Sequence, residues 1–105
     1  MTKENVFIKA CELGSVNIVK LLLKKGVNKE AKNSFRLTAL MLASDGGHIK
    51  VVEALLQAGA DKEAEPQTTG WSTLMLASNN GHTAIAELLK NHIPKRMQDL
   101  AGVND

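Results

Sequence analysis

Apolar residues fall along this chain in paired clusters, a short one followed by a long one, with glycines between and after them. The long clusters read "VNIVKLLLKKG" (16–26), "IKVVEALLQAG" (49–59) and "TAIAELLKNH" (83–92). Their apolar positions, Ile18, Val19, Leu21, Leu22 and Leu23, then Val51, Val52, Ala54, Leu55 and Leu56, follow a helical period. The stripe is wider than the single face a surface helix buries, so these helices should have neighbours on both sides. The short clusters, "ALMLA" (39–43) and "TLMLA" (73–77), each follow a hydroxyl residue, Thr38 or Ser72. A hydroxyl there can accept a bond from an orphan N–H of the first turn, which predicts a helix N-cap. Gly14, Gly47 and Gly81 should close the short helices, since glycine enters the left-handed region without steric cost.

The pairs are copies of one unit. Sliding the chain by 33 lays Ala10, Gly14, Val19, Leu22, Leu23, Gly26, Lys29, Glu30 and Ala31 on identical residues from Ala43 to Ala64. Sliding it by 34 lays Leu40 to Ser44, Gly47, His48, Glu53 and Leu55 on Leu74 to Ser78, Gly81, His82, Glu87 and Leu89. The extra residue falls inside "KEAEPQTTGW", a stretch of loop composition. One helix pair cannot bury a stripe of this width, whereas pairs stacked side by side can, and this predicts an all-α solenoid.

The grammar resembles that of the ankyrin repeat. The family's G-x-T-P-L-H-x-A-A-x-x-G-H phrase is matched by Gly70, Ser72, Leu74, Ala77, Gly81 and His82, and by Thr38, Leu40, Ala43, Gly47 and His48. Its L-L-L-x-x-G-A-D phrase is matched by Leu21 to Leu23, Gly26 and Asn28, and by Leu55, Leu56, Gly59, Ala60 and Asp61. The resemblance covers about residues 5–93 and implies three stacked helix-turn-helix units, about 5–33, 34–67 and 68–93, joined by β-hairpin loops. Residues 94–105 are expected to form a tail, whose Pro94 and apolar trace Met97, Leu100 and Ala101 predict a short capping helix, with a frayed tail as the alternative. Two departures stand out. Met41 and Met75 replace the histidine of T-P-L-H, so methionine packing should replace its hydrogen bonds. Arg36 takes the place of a turn glycine, and a positive φ there would cost about 1 kcal/mol. Lys9 and Lys90 occupy stacking positions that are leucine in the other units, so both ends are expected to meet water and the array to be complete as a monomer.

Composition narrows the possible functions. An apolar fraction of 44% and a charged fraction of 23% are those of a folded globular chain. Residues 1–36 hold eight Lys/Arg against three Asp/Glu, and residues 37–92 hold three against six, so the charge is distributed unevenly along the stack. The lone Cys11 reads as a small core residue. The absence of a secretory h-region or a long apolar run predicts a cytoplasmic protein without a membrane span, with a nuclear protein or a secreted effector as alternatives.

Chemistry-bearing constellations are few. His48 and His82 sit in consecutive units, about a helix diameter (~10 Å) apart, too far to share a metal, and the resemblance gives them a structural role near the helix junctions. "SDGGH" and "NNGH" lack the lysine and spacing of a phosphate loop. Lys20, Lys24 and Lys25 have no aromatic platform beside them, so nucleic acid is not expected as a partner. Glu30, Glu63 and Glu65 read as solvated charges. No catalytic residue, cofactor or metal is expected.

The resemblance implies a non-enzymatic module that binds a protein partner through hairpin tips and a concave helical face. The residues it assigns are Lys32, Ser34, Phe35, Arg36 and Leu37 on the first hairpin, Glu65, Gln67, Thr68 and Trp71 on the second, and Asp45, Asn79 and Asn80 at helix ends. Phe35 and Trp71 are two of the chain's three aromatics, and Trp and Arg often dominate interface energy. The competing reading folds both rings back over the hairpin bases. An inhibitor or host-directed effector that blocks an enzyme surface is the alternative function.

Overall fold

The computed structural model describes residues 2–64 and 71–92. The described residues form six helices: α1 (Lys3–Leu13), α2 (Val16–Lys24), α3 (Ala39–Asp45), α4 (Ile49–Gln57), α5 (Thr73–Asn79) and α6 (Thr83–Asn91). Consecutive helices pair, α1 with α2, α3 with α4 and α5 with α6, and the pairs stack in register. α3 lies between α1 and α5, and α4 between α2 and α6. Among the described residues there is no β-strand. A single antiparallel bridge, Lys32 to Thr38, closes the base of the first hairpin. The proposed tail helix lies outside the described residues.

The same local devices build each unit. Thr2, Thr38 and Ser72 cap the first helices, their hydroxyls accepting from the N–H of Asn5, Met41 and Met75 at 3.1, 3.3 and 3.2 Å. The second helices have no side-chain cap bond. A backbone turn fixes their start instead: the N–H groups of Ser15, His48 and His82 donate to the carbonyls of Ala10, Ala43 and Ala77 at 2.8–2.9 Å. The turn satisfies carbonyls left over at the end of the first helix, so helix end and corner are one structure.

Burial follows the stacking. All five stripe residues of α4 are buried, and Leu55 and Val52 are fully enclosed. α2 has the same apolar stripe but a neighbour on one side only, and Val19 is its one buried residue. Ile18 and Leu21 stand 46% and 52% exposed. Lys9 and Lys90 are exposed as expected, and Lys90 pairs with Glu87 at 3.5 Å. The end faces are nevertheless not wholly polar, because Val6, Ile18 and Leu21 lie open at one end and Met75 at the other.

The two methionines differ in their surroundings. Met41 is fully buried, and its Sδ accepts from the Thr38 N–H at 3.4 Å, so the sulfur closes the cap that its own N–H begins. Met75, in the identical phrase, is 52% exposed, which corrects the expectation that both methionines pack inward. Of the two, only Met41 has a following unit among the described residues to cover it.

Cys11 is fully enclosed, and burial pushes its thiol pKa up to about 12 from 9.0. Burial disfavours the thiolate, so thiol-specific labels should react only after unfolding. The sign for stability follows from the raised pKa: the thiol's contribution is fully present below pH 9 and is lost as pH rises towards 12. Urea midpoints should therefore fall across this alkaline range by more in the wild type than in Cys11→Ala, a difference that chemical denaturation measures directly.

Candidate protein-binding surface

The first hairpin is a finger with a fixed tip. Asn33 organises it, because its side-chain Oδ1 accepts from the N–H groups of Phe35 and Leu37 at 2.9 and 3.0 Å. Its backbone N–H donates to the Leu37 carbonyl, and its carbonyl accepts from the Arg36 N–H, both at 3.0 Å. Four bonds to one residue close the turn. Arg36 is held at φ 66°, in the left-handed region that the glycine of the resemblance would occupy without strain. Lys32, Ser34 and Arg36 are exposed and Leu37 is half-buried beneath them. Phe35 is 74% exposed, so its ring does not fold back over the hairpin base.

Side-chain bonds from one unit to the next tie the hairpin bases to the stack. Glu30, expected to be a solvated charge, is instead half-buried, and its Oε2 accepts from the Asp61 N–H at 2.9 Å, linking the first unit to the end of the second. Glu4 makes the equivalent bond to the Asn28 N–H at 3.3 Å, one unit earlier. Lys62 continues the series differently, with its Nζ donating to the carbonyls of Leu89 and His92 at 2.8 Å. A cation on the last carbonyls of α6 suits both the orphan acceptors and the helix dipole. Slight burial and the Lys62 ammonium together lower the pKa of His92.

The remaining assigned residues fall in two other places. Asp45 and Asn80 meet across the second and third units, where the Asn80 Nδ2 donates to the Asp45 Oδ1 and also to the Leu76 carbonyl. They lie at the C-terminal ends of α3 and α5, about 10 Å along a seven-residue helix from its cap. Trp71, 39% exposed, and Asn79 line a shallow groove of about 360 Å³ along α5 with Met75 and Ser78. Glu65, Gln67 and Thr68 lie outside the described residues. The structure thus brings together Lys32 to Leu37, pairs Asp45 with Asn80, and sets Trp71 with Asn79 on the outward side of the third unit.

Sequence reading missed Asn33, Glu30 and Lys62 as positioning residues. Only Asn33 had a local signal, an Asx turn at the start of "NSFR". The histidines behave as expected. His48 Nε2 donates to the Glu12 carbonyl and His82 Nε2 to the Asp45 carbonyl, each at 3.0 Å, joining every unit to the one before. Both rings are thereby committed to structure. Among the described residues no group of three or more His, Cys, Asp or Glu side chains could hold a metal, and no helix is long and apolar enough to cross a membrane.

Helix pairs stacked in register along the described residues define a helical repeat solenoid. A family profile described as ankyrin repeats, in three copies, matches residues 2–66, and the chain belongs to this family. No curated protein matches the chain. Ankyrin repeats generally serve as protein–protein interaction modules and are typically non-enzymatic.

Proposed function

We propose that the chain is a non-enzymatic binding module that captures a protein partner with the first hairpin as its principal contact. The observation that carries this reading is the Phe35 tip: a large apolar side chain, 74% exposed, on a turn closed by four hydrogen bonds to Asn33. A protein gains no stability from holding an aromatic ring out in water on a strained, fully bonded turn. A partner with an apolar pocket gains affinity from it, because little conformational entropy is left to lose on docking. Lys32 and Arg36 stand exposed on the same hairpin and favour an acidic rim around that pocket.

Partner capture by the purified chain tests the proposal. Phe35→Ala, Arg36→Ala and Trp71→Ala together should weaken capture by at least about a hundredfold, the scale of two interface hot spots. The helical circular dichroism signal should be unchanged, since these side chains lie outside the core. Undiminished capture by the folded triple variant would remove the finger from the interface.

A further inference from the structure

The repeated unit allows its two outward faces to be compared with buried copies of themselves. Towards the preceding unit, the middle repeat presents Ala39, Val51 and Ala54, which are 0%, 1% and 8% exposed. The first repeat has Val6, Ile18 and Leu21 at these positions, larger side chains that stand 37%, 46% and 52% exposed. Towards the following unit, Ile8 and Met41 are 8% and 0% exposed, and their counterpart Met75 is 52% exposed. Cys11 and Ser44 are enclosed in the same way, and their counterpart Ser78 is exposed. The stack therefore ends in two unlike halves of one interface, the interface formed twice inside the chain by α1 on α3 with α2 on α4, and by α3 on α5 with α4 on α6.

We propose that these end faces take a second copy of the chain, head to tail, with Val6, Ile18 and Leu21 of one molecule seated over Met75 and Ser78 of the next. Two observations select this occupant. The first is continuity with the internal interface: the helix-pair surface that covers each such face inside the chain is the surface another copy presents at its opposite end. The second is charge. The first unit carries most of the excess of eight Lys/Arg over three Asp/Glu in residues 1–36, whereas Glu87 and Lys90 balance in the described part of the third. Two first units repel each other, and a first unit against a third does not. Because the two faces differ, the contact does not close on itself, and association should run beyond pairs. Lys90, in place of a leucine at the edge of one half, keeps the contact weak.

Sedimentation equilibrium of the full chain from about 10 μM to about 1 mM reads this directly. The weight-average mass should climb above the 11.3 kDa of one chain without a plateau at twice that value. A double substitution, Ile18→Glu with Leu21→Glu, blocks one face, and Met75→Glu blocks the other. All three positions are exposed, so the variants should keep the wild-type helical signal. Each variant alone should remain a single chain, its self-association weakened at least about tenfold. An equimolar mixture should form a complex of two that grows no further, because each molecule offers the face the other lacks. A constant single-chain mass for the wild type, the result if residues 93–105 or a different protein cover these faces, overturns the proposal. So does a dimer formed by either variant alone.

Discussion

Leu55→Ala is expected to lower the unfolding free energy by about 3–4 kcal/mol, the upper part of the range for a leucine truncated in a close-packed interior. Leu55 is fully enclosed, and its helix has neighbours on both sides. The lost side chain leaves a void against the cores of the adjoining units, which cannot collapse without breaking the register of their helices. At about 4–8 °C per kcal/mol for a domain of this size, the melting temperature should fall by roughly 12–32 °C. Leu21→Ala supplies the control. Leu21 is 52% exposed at the end of the stack, and its loss should cost about 0.5 kcal/mol or less. Urea unfolding followed by circular dichroism compares the two, and equal losses would mean that the middle unit is no better packed than the first.

Gly47→Ala should cost about 2–3 kcal/mol for two separable reasons. Gly47 sits at φ 78°, where a Cβ adds about 1–2 kcal/mol of strain. That Cβ would also lie 2.8 Å from Cε1 of the His82 ring. The ring must move, and its 3.0 Å bond to the Asp45 carbonyl, worth about 1 kcal/mol, goes with it. In a His82→Ala background the ring and its bond are already gone, so adding Gly47→Ala should cost only the strain. Gly81 gives a second comparison within the same chain. Its φ is 75°, but nothing stands within 4 Å of its added Cβ, so Gly81→Ala should show the strain alone. Identical losses for Gly47→Ala and Gly81→Ala would rule out the histidine contact as a contributor.

The fold was legible because repetition turns weak local signals into strong ones. Thr38 before one apolar run is a modest hint of a cap, and the same hint at Ser72, in register with Gly47 and Gly81, fixes a period. The caps, the left-handed corner glycines and the structural histidines follow from that period. Arg36 was legible for a related reason, as the one residue out of step with a turn that needs a positive φ. The end faces and the ties between units were less legible. Leucine at 21 and alanine at 54 look equally core-forming, and only the presence or absence of a preceding unit decides which is wet. Glu30 has a neighbouring lysine and the look of a solvated charge, and its bond to Asp61 spans 31 positions of sequence. The candidate binding residues were legible only as a set of exposed positions. What separates Phe35 from the rest is Asn33, whose double acceptance is a matter of turn geometry rather than composition.

The twice-written Leu-Met-Leu-Ala-Ser phrase gives the protein two chemically identical thioethers with opposite access to solvent, Met41 enclosed and Met75 half open. Mild peroxide should therefore convert Met75 to the sulfoxide well before Met41, as peptide mass spectrometry would show, because exposure governs this oxidation. Met41 then serves as an internal standard: the ratio of the two rates reports how much of the time the last repeat is covered, and anything that settles on that end of the stack should slow the first rate without touching the second.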